Sequence, residues 1–481
     1  MKKLVLLAFT FMFGIAVMAC TGETTTAAPT TAAPTTAAPT TAAPTTAAPT
    51  TVAPTTVAPT TTAAPTTTTA APILVQGVTP TSVKVGNAAS TTGAAAAIGV
   101  PFNAGITAYF EYINGQGGVG GRTIQFVTYD DQTSPTTGLA HTQTLIETDE
   151  IFALVGHFGT WTVGATLGLI EEVGIPMVYA ATGINSLYFQ ESVGNPVMAV
   201  QPIYKTDGRI MTARAVNEQI YGTNKDEALP AGAKIGVIYT NDDVGLSIKA
   251  GIDQEAEILG RTADMVYQAV TGYSFVTAVA ILKASGVSVV ILAMNQEPFG
   301  YALTQMSNQS LNVPVFSSYV NADVTVVDHY RYNENRPIYV NAWLDIVDPE
   351  GLYGFSADYW AFVAVMTAAG YDGLTVGKAN YTANAFAMAG YIAAAIFVEG
   401  LNRVEEAEED LTWANYIAAM ESEPLDLPMG GLVDWTGGKR WGIASMALLK
   451  YGFTDNEGVI TEAFTKVQNI QTIEEIEGLD E

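Results

Sequence analysis

Tyr112-Ile113-Asn114-Gly115-Gln116-Gly117-Gly118-Val119-Gly120-Gly121-Arg122-Thr123-Ile124-Gln125-Phe126-Val127-Thr128-Tyr129-Asp130-Asp131 is a helix end, a glycine loop and a strand in series. On its amino side Phe102, Ile106, Tyr109, Phe110 and Ile113 recur three and four residues apart, which predicts one apolar helix stripe. Residues 123–129 alternate as a strand does and stop at an acidic pair. The glycines between them contain Gly115-x-Gly117-x-x-Gly120, literally a GxGxxG. A dinucleotide fingerprint needs that pattern after a strand and opening a helix, so that phosphate meets the helix N-terminus. Here the order is reversed. The glycines are expected to make a tight helix-to-strand loop rather than a nucleotide cradle.

The same alternation spreads outward. Residues 83–89, 152–155 and 176–179 read as strands, with helices over 135–148 and 163–173; Pro135 suits a first helical turn. A second run begins near Lys234, with strands over 235–239, 262–267, 287–293 and 313–316 and helices over 246–259, 275–284 and 299–309. A strand at 338–343 precedes helices near 357–369, 381–401 and 411–420, then short strands around 444–451 and 463–467. Repeated βαβ units imply parallel sheets covered on both faces. The expected fold is α/β, with two Rossmann-like lobes of parallel sheet joined by a hinge. Ligands of such sheets bind beyond the carboxyl ends of the strands, and two facing lobes make a cleft that closes.

The amino terminus points to a compartment. Met1-Lys2-Lys3 precedes an apolar run over 4–17, and Val17-Met18-Ala19 leads to Cys20, the one cysteine in 481 residues. A positive start, a short apolar segment and small residues before a cysteine resemble a bacterial lipoprotein signal. That resemblance implies acylation of the Cys20 thiol and a mature chain tethered outside the cytoplasm. With no second cysteine there is no disulfide to form. Residues 24–72, within a linker expected over 21–79, repeat a Thr-Thr-Ala-Ala-Pro unit in which proline prevents regular helix and nothing is large enough to bury. They are expected to form a disordered linker, able to reach on the order of 100 Å when extended.

Charge narrows the partners. Lys and Arg number 20 against 47 Asp and Glu, a net charge of −27. Such a surface repels nucleic acid and anionic headgroups. Glu405, Glu406, Glu408, Glu409 and Asp410 read as one solvated loop, and residues 468–481 as an acidic tail. Residues 381–398 are apolar and alanine-rich but contain Asn384, and read as a buried helix. Asp130 and Asp131 stand side by side, so a strand would turn them to opposite faces. His141, His157 and His329 lack ligand spacing, and no Gly-x-Ser-x-Gly, His-Glu-x-x-His or Walker loop occurs. No catalytic residue, metal or cofactor is expected, and the chain does not read as an enzyme.

Several segments share an order with a known family: Val83-Lys84-Val85-Gly86, Thr92-Gly93, Gly105, the glycine loop through Arg122, Tyr129-Asp130-Asp131-Gln132 with Pro135, Gly156-His157, Glu172-Val173-Gly174-Ile175-Pro176 and Ala180-Ala181-Thr182. The chain resembles the type I periplasmic solute-binding proteins of ABC transporters, the branched-chain amino-acid (Leu/Ile/Val) receptor family. The resemblance implies a ligand held at strand ends. Thr92 and Ile98 fall on the first loop, Thr160 and Trp161 on the second, Ala180, Ala181 and Thr182 on the third. Asp207, Asn295 and Tyr319 fall on the side of the second lobe. Hydroxyls and backbone amides there would hold a ligand carboxylate, whereas helix capping is the alternative for Thr160 and Thr182.

Three positions depart from the family. Residues 317–321 hold no carboxylate before Asp323, Val244 stands where tyrosine is usual, and so does Ile98. The implied ligand is therefore a small polar solute: an amino acid, a short carboxylate, an amide or a urea-like molecule. The implied partners are that ligand and an ABC permease, with the membrane reached through the lipid; a monomer is expected. The alternatives are a ligand-sensing receptor ectodomain reporting to a signalling partner and an α/β surface enzyme. The expected division is 80–205 plus 338–436 for lobe 1 and 206–337 plus 437–467 for lobe 2.

Overall fold

The computed structural model describes residues 75–187, 192–324, 327, 333–346, 355–456 and 459–477. The signal segment, Cys20, the repeat region to residue 74 and His329 lie outside the described residues. The first lobe is built on β1 (Ser82–Ala89), α1 (Ala96–Gly115), β2 (Thr123–Asp130), α2 (Pro135–Glu147), β3 (Ala153–Val155), α3 (Thr160–Val173), β4 (Met177–Val178) and β5 (Val197–Met198). Its strands are all parallel, in the order β2-β1-β3-β4-β5.

The chain then crosses into α4 (Tyr204–Asn217), β6 (Ile235–Thr240), α5 (Asp243–Ile258), β7 (Met265–Val270), α6 (Val276–Ser285), β8 (Val289–Ala293), α7 (Gln296–Asn308), β9 (Val315–Ser317) and β10 (Ile338–Ala342). These strands stand in the order β7-β6-β8-β9-β10, all parallel, which repeats the first sheet strand for strand. The chain returns through α8 (Ala357–Ala368), α9 (Ala385–Glu406), α10 (Trp413–Met420) and the small pair β11 (Leu425–Asp426) and β12 (Leu432–Val433). Finally β13 (Met446–Asn456) and β14 (Val459–Gln471) extend the second sheet antiparallel from β10, and α11 (Ile473–Glu477) follows.

Each lobe is locked by a glycine-mediated helix crossing. A Cβ on Gly105 of α1 would stand 2.0 Å from the Ala387 carbonyl oxygen of α9, and one on Gly390 of α9 would stand 1.9 Å from that of Phe102. In the second lobe Gly208 of α4 and Gly251 of α5 make the matching crossing, at 2.1 and 2.0 Å from opposing carbonyls. Only hydrogen fits at such approaches. Helix α9 is the one helix among the described residues long and apolar enough to cross a membrane, and it is largely buried inside the lobe. This matches its reading as a core helix.

The glycine loop behaves as its order implies. Asn114 welds the end of α1 to β2: its Nδ2 donates to the Ile124 carbonyl at 2.8 Å and its Oδ1 accepts the Ile124 amide at 2.7 Å. The loop sits at the amino end of β2, away from the strand ends where such sheets bind ligands.

Four boundaries move. Residues 338–342 belong to the second lobe, because β10 pairs with β9 and β13 and all five of its residues are buried in that sheet. Residues 75–79, expected as linker, pack on lobe 1 instead: Gln76 Nε2 donates to the carbonyls of Ile146 (3.1 Å) and Ile151 (2.8 Å). The two short late strands are one long hairpin, so residues 468–471 are strand rather than tail. Glu405 and Glu406 close α9 instead of lying in a loop.

Candidate functional site

A cavity of about 620 Å³ opens between the two sheets. Its first wall comes from the loops after β3 and β4, through Phe158, Gly159, Thr160, Trp161 and Ala181. The opposite wall comes from the loops after β8 and β9, through Asn295, Gln296, Tyr319, Val320 and residues 322–324. The segment after β10 (342–346), the start of α9 and residues Leu449, Phe464 and Lys466 of the hairpin close the rest. This is the crevice that the strand order defines, at the carboxyl ends of both sheets.

Most of the lining is apolar. Aromatic rings run in contact from Trp161 to Phe158 (6.3 Å between centroids), Phe102 (5.4 Å), Tyr179 (5.9 Å) and Trp343 (6.3 Å). Trp161 is clamped in place. Its indole lies against Gly159, where a Cβ would stand 2.6 Å from the ring and φ is +88°, so glycine is required twice over. Its Nε1 donates to Asp131 Oδ2 at 3.0 Å.

Asp131 positions the wall without lining it, and no spacing in the sequence marks it. It is fully buried and also accepts from the Ser90 hydroxyl (2.5 Å), the Thr162 hydroxyl (2.6 Å) and the Thr133 amide (2.9 Å). Asp130 serves a different loop. Burial raises its pKa, but the Thr92 hydroxyl and the amides of Gln132, Thr92 and Thr91 outweigh that and hold it at about 2. The acidic pair is thus a double clamp of loop positions.

The polar end of the cavity is a hydroxyl cluster. Thr160 Oγ1 and Thr182 Oγ1 stand 2.7 Å apart, beside the buried Tyr204 phenol. Burial raises the Tyr204 pKa against the pull of those hydroxyls, so the phenol stays protonated. Thr160 is the first residue of α3, and its N-cap, Gly159, supplies no side-chain cap. The positive end of a helix therefore meets the hydroxyls, an arrangement that favours an anion. Thr160 is not an N-cap residue. Thr182 does accept the Ile184 amide at 3.2 Å, as a turn-making hydroxyl does.

Beside this cluster, Tyr179 OH donates to Gln201 Oε1 (3.1 Å), Gln201 Nε2 donates to the Tyr319 hydroxyl (3.0 Å), and Tyr319 OH donates to the Pro202 carbonyl (2.8 Å). That chain of bonds spans the first crossover between the lobes.

Of the residues expected at the site, Ile98, Thr160, Trp161, Ala181, Asn295 and Tyr319 line the cavity. Thr182 reaches it through Thr160. Thr92 does not: its hydroxyl is drawn to Asp130 and the residue is exposed. Ala180 lies beneath the wall, fully buried, its amide 3.4 Å from the Met198 carbonyl. Asp207 sits under Tyr319, fully buried, with Asn341 Nδ2 donating to Oδ1 at 2.8 Å. Burial drives its pKa up to about 6, against the pull of Ser318, Asn341 and the Tyr319 amide.

Asp242 is equally structural, accepting the Gly245 amide at 2.9 Å as the N-cap of α5. His157 is buried between Thr142 and Thr166 hydroxyls, and burial depresses its pKa to about 3, so it stays neutral. Among the described residues no group of three or more His, Cys, Asp or Glu could hold a metal.

Comparison with known proteins agrees with this geometry. A family model described as periplasmic binding protein matches residues 82–456, and the chain belongs to that family, as a type I solute-binding protein of the ABC-transporter kind. An amino acid binding protein of Pseudomonas aeruginosa is 26% identical over 352 residues, 72% of this chain and 84% of the relative. A Leu/Ile/Val-binding protein homolog of Brucella abortus is 27% identical over 254 residues, and the match spans 63% of its length. Among solved structures, a fatty acid ABC transporter substrate-binding protein from Thermomonospora curvata shares the fold: TM-score 0.64 at 19% identity, over 83% of this chain and 95% of that one.

Proposed function

We propose that the chain is a lipid-anchored extracytoplasmic receptor, tethered through Cys20. It captures a small carboxylate with an apolar body and delivers it to an ABC permease. The observation that carries this reading is the pairing of one hydroxyl-rich, helix-N-terminal pole at Thr160, Thr182 and Tyr204 with an otherwise aromatic wall. The pole suits a carboxylate, which needs several convergent donors once stripped of water. The wall suits the rest of an apolar acid or a large apolar amino acid. Urea and short amides would leave most of the 620 Å³ unfilled. Relatives named for amino acids and for a fatty acid fit the carboxylate half of this description, and the fatty acid its apolar half.

Binding is non-covalent. A ligand touching both walls stabilises the closed arrangement, and that population is what a permease would read. Thermal shift and calorimetry with apolar amino acids, linear acids and aromatic acids test the ligand class. Failure of every carboxylate to bind, with binding of a neutral solute instead, would overturn it. Metabolic labelling with a fatty acid tests the anchor: label incorporated by the wild type and absent from Cys20→Ser is expected.

A further inference from the structure

Among the described residues the cavity wall carries one cationic side chain, Lys466. It stands on β14, in the hairpin that the second lobe adds beyond its repeat of the first. Its Nζ lies 2.9 and 3.1 Å from the two oxygens of Asp345, on the segment leaving β10, and both residues line the cavity. The two side chains are a quarter exposed or less, and their neighbours on the wall are Leu344, Ile346, Leu449 and Phe464.

As a strut between hairpin and crossover such a pair contributes little. As a wall group it does more. An ammonium has three N–H donors; two meet Asp345 and the third is directed by neither oxygen. Asp345 offsets the cost of holding the charge at an apolar wall while leaving that donor for a guest.

We propose that Lys466 is a specificity-determining residue. It receives a second oxygen acceptor of the ligand, carboxylate or hydroxyl, carried elsewhere on the apolar body than the carboxylate held by Thr160 and Thr182. The preferred class is then a dicarboxylic or hydroxylated acid with an apolar spacer, and Asp345 tempers the affinity by competing for the same cation. This inference rests on the carboxylate reading of the cavity.

Calorimetry with matched pairs tests it: hexanoate against adipate and 6-hydroxyhexanoate, decanoate against sebacate, benzoate against terephthalate and 4-hydroxybenzoate. The wild type is expected to bind the doubly functional member of at least one pair tenfold or more tighter. Lys466→Met is expected to erase that ratio through loss of affinity for the doubly functional member. Asp345→Asn, which removes the competitor, is expected to raise the ratio, and it decides the matter should Lys466→Met fail to fold.

Equal affinity within every pair, or a ratio untouched by Lys466→Met, would overturn the role of Lys466 while the carboxylate reading stood. A ratio lowered by Asp345→Asn would do the same. Failure of every acid to bind the wild type would remove the carboxylate reading and this inference with it.

Discussion

The two lobes repeat one strand order and one glycine-locked helix crossing, yet they contribute to the cavity in opposite ways. The first lobe supplies a preset pole. Its loops after β2 and β3 are held by carboxylates, its Thr160 and Thr182 hydroxyls converge, with Tyr204 added from α4 of the second lobe, and Trp161 is clamped from two sides. The second lobe supplies surface and adjustable charge, through Asn295, Tyr319 and the hairpin. Its own acidic residue at the end of β6, Asp242, caps a helix and does not line the cavity. Duplicated scaffolds thus need not carry duplicated sites: the loops at the strand ends decide which half anchors.

The largest test of this contrast is Asp131→Ala beside Asp242→Ala. Removing Asp131 strands four donors, two of them fully buried, and a loss of about 4 kcal/mol in denaturant unfolding is expected, with ligand affinity lost alongside. Removing the α5 cap is expected to cost about 1 kcal/mol and to leave binding unchanged. Comparable losses from the two variants would break the asymmetry.

Asp207 gives the next effect. Its folded pKa of about 6 lies above the ordinary aspartate value of 3.8, so the protonated folded state is favoured. The associated stability is fully present below pH 4 and lost as pH rises through 6. Relative to wild type, Asp207→Asn is expected to gain about 3 kcal/mol between pH 4 and pH 7, read from unfolding midpoints. A flat difference would show that Asp207 stays charged in the fold.

Anchoring by the first lobe predicts that Thr160→Ala weakens binding by about 1–3 kcal/mol. Asn295→Ala, across the cavity, is expected to cost under about 1 kcal/mol, because no hydroxyl cluster depends on it. The reverse order in calorimetry would move the anchor to the second lobe. Smallest of all, Arg122→Ala is expected to change stability by under about 0.5 kcal/mol and binding not at all. Its pairing with Glu405 at 3.4 Å is exposed and lies at the glycine loop.

How much was legible in the sequence follows the same divide. The first lobe announces itself through short-range patterns: the glycine loop, Gly156-His157 and Ala180-Ala181-Thr182 each encode a local backbone shape. Thr160 and Trp161 could be placed from them. Thr92 could not, because its hydroxyl is captured by Asp130, 38 residues away. The capture of Trp161 by Asp131 is a contact across 30 residues that no spacing rule carries. In the second lobe the decisive features are pairings over more than 100 residues. β10 is held on its far side by β13, although it also pairs with β9 nearby, and Lys466 meets Asp345. A strand with five buried residues looks the same in either lobe, so its allegiance could not be read from pattern.

The aromatic row along the cavity has an optical consequence. Trp161 and Trp343 stand at its two ends, with Phe158, Phe102 and Tyr179 between them at van der Waals spacing. A guest that displaces water from either indole shifts its emission to shorter wavelength, and Tyr179 is close enough to Trp343 to pass excitation to it. The protein carries its own fluorophores at both ends of its binding wall, so occupancy can be followed by light without a label.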